Sequence, residues 1–170
     1  MGAIPGIGRK QGTELRDEKF ITGHWEGDLT MIIPFKQGLM HLASSAGDES
    51  YLVGSKCGSC DAVAFPRRTI CHKCLSQDVV EIPLSRRGKL ASFTVAWAAP
   101  SGFEPPLMQG YIDLPEKVRL FAMITGCEPS PQALEPGQEM ELVFEPLRTD
   151  ETGNQIVAFK FKPISEGAKS

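Results

Sequence analysis

Cys57, Cys60, Cys71 and Cys74 stand in the pattern C-x2-C-x10-C-x2-C. Two C-x-x-C pairs joined by a short loop can aim four thiolates at one centre, the tetrahedral arrangement zinc takes in closed structural sites. Four thiolates also suit iron in a rubredoxin-type site, but no glycine follows Cys74 and no aromatic cluster is interleaved with the pairs, so Zn2+ is the expected ion. A disulfide framework is disfavoured by the odd cysteine count of 5, and a redox role for one pair would leave the other unexplained. His72 lies between two ligands, yet four sulfurs already close the tetrahedron. Gly58, inside the first pair, is expected to supply a tight backbone turn.

The next chemistry is basic. Residues 51–90 carry Lys56, Arg67, Arg68, Lys73, Arg86, Arg87 and Lys89 against Asp61, Asp78 and Glu81, whereas residues 1–50 and 91–170 are both net acidic within a chain of formal charge -3. Any anionic partner should therefore meet the middle segment. Arg67-Arg68 precede the second cysteine pair and Arg86-Arg87-Gly88-Lys89 open the following element. These arginines are either a solvated basic surface or a phosphate contact.

Nucleophilic chemistry is poorly supplied. Cys127 is the only unassigned cysteine, and Glu128 beside it would raise its pKa. His24 and His41 lie far from it in sequence, and the chain has no glycine-rich phosphate loop, serine elbow or paired carboxylates. Catalysis is expected to sit on another chain.

The elements that position these residues read as strands. Gly and Pro together occupy 30 of 170 positions without a period, which favours short strands and turns over long helices. Leu52-Val53 and Ala62–Phe65 frame the first cysteine pair, and Pro66 closes that hairpin. Beyond Lys89, alternation marks five strands: 89–97 with Phe93, Val95 and Trp97 on one face, 109–114, 118–125 with Val118, Leu120, Ala122 and Ile124 inward, 139–145 with Met140, Leu142 and Phe144 inward, and 156–161. Phe103, in the loop between the first two, reads as a core plug or an exposed contact. Pro129, Pro131 and Pro136 bar a long helix from the connection between strands three and four.

The expected fold is mainly β, a rubredoxin-like zinc ribbon followed by a five-stranded OB-fold barrel, with an irregular N-terminal extension. The domains are placed at 1–50 (extension), 51–84 (ribbon), 85–164 (barrel) and 165–170 (flexible tail), with independent cores in ribbon and barrel. Within the extension, 13–20 could form a short helix, and 29–34 and 38–43 could be added strands, the first at an edge because of Pro34. No run of about 18 apolar residues is present to span a membrane, and the N-terminus lacks a signal-peptide pattern, so a cytoplasmic location is expected.

The ribbon from Cys57 to Cys74 with Phe65-Pro66-Arg67 inside it, followed by Arg87-Gly-Lys-Leu-Ala-Ser-Phe-Thr94 and the five strands, resembles the acyl-CoA-associated zinc-ribbon/OB-fold proteins. The resemblance covers about residues 51–163 and implies a thiolase-like or related acyl-CoA enzyme as partner in a hetero-oligomer, with CoA or acyl-CoA as ligand of the complex. It also implies a noncatalytic subunit that docks by its OB-fold. Arg67, Arg68, Arg86 and Arg87 are then candidate CoA contacts, and Cys57, Cys60, Cys71 and Cys74 the metal ligands. Two other classes compete. An OB-fold alone would allow a single-stranded nucleic-acid binder, but the acidic barrel segment opposes nucleic acid. A rubredoxin-like electron carrier is separable by its absorbance.

Overall fold

The computed structural model describes residues 32–100 and 103–164. All regular structure among them is β, and no helix is long and apolar enough to cross a membrane. The possible helix at 13–20, His24 and the tail at 165–170 lie outside the described residues. Ten strands follow in order. They are β1 (Ile32–Pro34), β2 (Met40–His41), β3 (Tyr51–Cys57), β4 (Val63–Ala64) and β5 (Val79–Pro83). Then come β6 (Arg87–Ala96), β7 (Leu107–Asp113), β8 (Arg119–Ile124), β9 (Glu139–Thr149) and β10 (Gln155–Pro163).

Strands β6 to β10 close on themselves. β6 pairs with β7, β7 with β8, β9 with β10 and β6 with β9, all antiparallel, while β8 and β10 run parallel. This is the five-stranded OB barrel expected from the alternation, and along β8 Leu120, Ala122 and Ile124 all point into the core. The connection from β8 to β9 contains no helix, and its Leu134 plugs the core at 5% exposure. Close packing explains the glycines within the barrel strands, Gly88 and Gly110. A Cβ on Gly110 would stand 2.4 Å from the Ser92 carbonyl oxygen, opposite the irregularity between Leu90 and Ser92 where β6 shifts register.

The reading of β6 is corrected at its C-terminal end. Phe93 and Val95 pack against the core, but Trp97 lies beyond the end of the strand and is 68% exposed. The 29–34 segment is represented by β1, which adds in parallel to β10 at the edge of the barrel sheet, as Pro34 requires. Met40 and His41 form β2, which pairs with the start of β3.

The ribbon is built on β3. One edge of β3 pairs with β2 and then β4, and the other pairs with β5 from Val53↔Pro83 to Cys57↔Val79. β5 escaped the sequence reading because Val79-Val-Glu-Ile-Pro83 shows no clean alternation and Val80 is 54% exposed.

The expectation of independent cores is overturned. Met40, Leu52 and Leu84 from the ribbon side and Leu90, Ile112, Met140, Leu142 and Phe161 from the barrel form one continuous buried cluster. Phe65 meets Phe159 edge-to-face at 5.8 Å. The Arg86 guanidinium donates to the Ser50 carbonyl at 3.0 Å and the Leu142 carbonyl at 3.3 Å, bridging the two parts. Ser85 donates from both its amide and hydroxyl to Glu116 Oε1 at 2.7 Å. A two-layer ribbon of this size has too little apolar surface for its own core, so it borrows the barrel's.

Candidate metal centre

The two cysteine pairs occupy knuckles of the same construction. In the first, the Cys57 amide donates to the Ala62 carbonyl at 2.9 Å and the Asp61 amide to the Cys57 carbonyl at 3.0 Å. In the second, the Cys71 amide donates to Ser76 at 2.9 Å and the Leu75 amide to Cys71 at 3.0 Å. The fifth residue of each knuckle takes the left-handed conformation, Asp61 at φ 56° and Leu75 at φ 61°. Gly58 does not need a positive φ. A Cβ there would fall 2.1 Å from Asp78 Oδ2, so that exposed carboxylate would have to swing aside, while the Gly58 amide donates to the Asp78 carbonyl.

These knuckles bring the Sγ atoms of Cys57, Cys60, Cys71 and Cys74 within 4.8 Å of one another. The Cys57–Cys74 and Cys60–Cys71 sulfurs lie 3.5 and 3.6 Å apart. Tetrahedral zinc with Zn–S of about 2.3 Å requires sulfurs about 3.8 Å apart, so the donor set fits that ion. The backbone amides of Cys74 and Lys73 draw the Cys71 thiol down to about 6. At Cys74 the pull of the Ser76 amide is outweighed by the crowded sulfurs of Cys60 and Cys57, and the thiol is pushed up to about 12. One proton leaves readily and another is held, and a cation at the centre lets all four sulfurs ionise together. His72 is exposed and Cys74 is the outermost ligand.

The four candidate arginines are put to separate uses. Arg67 forms an ion pair with Glu81 on β5. Arg86 is held by the two carbonyls that join ribbon to barrel. Arg68 is exposed, and among the described residues only its backbone amide is engaged, with the buried Ser55 hydroxyl at 3.0 Å. Arg87 lines an open groove of 410 Å³ with Gly88, Lys89, Asp113, Leu114, Pro115 and Glu139. Asp113 there is held bidentately by Arg119 at 2.6 and 2.7 Å, which keeps its carboxyl below the usual range. Lys89, which the sequence places in the same basic cluster as Arg87, lines this groove beside it.

Cys127 is half-buried and donates to Met108 Sδ at 3.8 Å, and burial pushes its thiol up. That is the setting of an inert thiol. His41 pairs with Asp48 at 2.9 Å and stacks on Tyr51 at 4.7 Å, so it is committed locally. Phe103 is half-buried, its amide bonded to the Pro100 carbonyl at 3.1 Å.

Two family models match the chain: the rubredoxin-like zinc ribbon domain of ChsH2 over residues 44–80 and the C-terminal OB-fold domain of ChsH2 over residues 81–145. The benzoylsuccinyl-CoA thiolase subunit BbsA of Thauera aromatica is 35% identical over 122 residues, covering 72% of this chain and 83% of that protein. A DUF35 domain-containing scaffold protein of Methanocaldococcus jannaschii is 36% identical over 117 residues, covering 66% and 82%. Among solved structures, a chain described as Ltp2-ChsH2(DUF35) aldolase superimposes with a TM-score of 0.53 at 25% identity, covering 66% of this chain and 84% of that one.

Proposed function

The chain belongs to the ChsH2-type zinc-ribbon and OB-fold family, and on that premise we propose that it is a noncatalytic accessory subunit of a thiolase-like or aldolase-type acyl-CoA enzyme. The observation that carries this reading is the pairing of a four-cysteine ribbon with a closed barrel whose one spare thiol, Cys127, is burial-raised and occupied by Met108. The nucleophile and bases then belong to the partner. We assign residues 51–84 to the ribbon and 85–164 to the barrel. Cys57, Cys60, Cys71 and Cys74 would hold Zn2+, which supplies a crosslink in place of a larger core.

The barrel offers a docking face in the cross-strand pair Tyr111 and Phe121, 47% and 50% exposed and in edge-to-face contact at 5.3 Å. The ribbon then approaches the entrance for CoA or acyl-CoA, and of the four arginines Arg68 and Arg87 retain side chains available to its phosphates. Lys89 adds a second cation to the Arg87 groove. Arg67 and Arg86 serve the fold instead.

The reading is tested by assaying the complex with CoA as varied substrate. Arg68→Ala with Arg87→Ala should raise the KM for CoA about tenfold or more while the complex stays assembled, because each charge-assisted phosphate bond contributes about 1.5–3 kcal/mol. An unchanged KM would remove the CoA-contact role. Cys127→Ala should leave turnover intact, and a folded, assembled but inactive Cys127→Ala complex would place a catalytic residue on this chain.

A further inference from the structure

We infer that the second zinc knuckle is itself a docking element, with Leu75 as an apolar anchor that enters a socket on the catalytic subunit. The two knuckles have the same hydrogen bonds and the same left-handed fifth residue. In the first that residue is Asp61, a type that tolerates positive φ and that here also pairs with Lys56 at 2.9 Å. In the second it is a leucine, which takes the same conformation against a steric cost glycine would avoid. Burial does not offset that cost. Leu75 is 76% exposed, the most exposed large apolar side chain among the described residues.

The residues beside it in the loop set the chemistry a covering partner must match. The two backbone bonds that close the knuckle set Cys71 against Leu75 and Ser76, and Ile70, the residue that enters the knuckle, is 48% exposed. Arg68, His72 and Lys73 are exposed around the same loop. The ribbon's other cations are neutralised within the chain, Lys56 by Asp61 and Arg67 by Glu81, whereas Arg68 and Lys73 have no ion pair among the described residues. An apolar projection with Lys73 two positions before it and Arg68 on the segment leading into the knuckle complements an apolar socket edged by carboxylates on a protein surface. This rests on the accessory-subunit reading, and it adds a contact at the ribbon tip to the one proposed on the barrel. Seating Leu75 would also cover Cys74, the exposed ligand.

The test uses the full-length, zinc-loaded chain and the purified thiolase- or aldolase-type subunit encoded with it. Leu75→Asn and Leu75→Gly relieve the backbone, so both should keep one zinc per chain and melt at or above the wild-type temperature, yet bind the catalytic subunit at least tenfold more weakly by calorimetry. Leu75→Met should recover most of the affinity. Zinc release to a chelator should slow on complex formation for wild type and less so for Leu75→Asn.

Unchanged affinity in Leu75→Asn, with wild type binding well, overturns the knuckle anchor and leaves the accessory-subunit reading standing. Failure of wild type to bind any such subunit overturns both. A variant that loses zinc or melts lower assigns Leu75 to the fold, and wild-type self-association abolished by Leu75→Asn assigns the surface to a second copy. Either result overturns the proposal.

Discussion

Cys71→Ser removes one of four sulfurs from a centre whose metal, in comparable small sites, contributes about 10–16 kcal/mol to folding. The whole molecule has a net stability on the order of 5–15 kcal/mol, so the ribbon cannot persist without its metal. The consequence for the barrel follows from the shared core. Leu52 and Leu84 are 0% and 3% exposed and pack into the barrel cluster. At about 1.5–3 kcal/mol for each buried leucine, their loss alone withdraws roughly 3–6 kcal/mol from the barrel. The Phe65–Phe159 contact and the two Arg86 bonds are lost with them. For a domain of this size each kcal/mol moves the melting temperature by about 4–8 °C, so the barrel should melt at least about 10 °C lower. Thermal melts followed by far-UV circular dichroism, with zinc release recorded in parallel, should show barrel loss and metal loss in wild type as one transition. A Cys71→Ser chain that has lost its zinc but whose strand signal melts at the wild-type temperature would refute the shared core.

Gly110→Ala places a methyl 2.4 Å from the Ser92 carbonyl oxygen and 3.1 Å from the Phe93 Cα, both backbone atoms that cannot swing aside, and should destabilise by about 1–3 kcal/mol in urea unfolding. A variant as stable as wild type would contradict that packing. Arg86→Ala should lower stability by about 1.5–3 kcal/mol without altering the KM for CoA, and a raised KM with unaltered stability would reverse the assignment. Asp150 caps the β9–β10 turn by accepting from Thr152 and Asn154, bonds that hold its carboxyl down to about 2. Because the folded pKa is depressed, the stabilisation is present above the unfolded value of about 3.9 and fades as pH falls toward 2. A carbon-detected NMR titration placing this carboxyl near 4 would rule the cap out.

The metal centre was legible because cysteine pairs carry their geometry in their spacing. The barrel was legible in strands such as β8, where Leu120, Ala122 and Ile124 alternate with the exposed Arg119 and Phe121. Legibility failed wherever position depended on a distant partner. Leu52 and Leu84 are single apolar residues in a short ribbon, and nothing in their neighbourhood announces that they complete the barrel's core. Trp97 continued the alternation of Phe93 and Val95, but β6 ends at Ala96 and the side chain is left outside the barrel. Gly58 was read as a turn glycine, whereas its φ is not positive and what a side chain there would meet is the carboxylate of Asp78, twenty positions on. The four arginines looked alike as charges, and only their acceptors separate Arg67 and Arg86 from Arg68 and Arg87. Leu75 gave no signal, since its residue type does not announce the left-handed backbone that it takes.

The accessory role is tested most directly by reconstitution. The thiolase- or aldolase-type subunit encoded with this chain should be purified alone and its acyl-CoA turnover measured with and without the zinc-loaded chain at equal molarity. Turnover that is weak or absent in either protein alone and restored by mixing them is the expected result. A catalytic subunit fully active by itself, or acyl-CoA turnover by this chain in isolation, would contradict it.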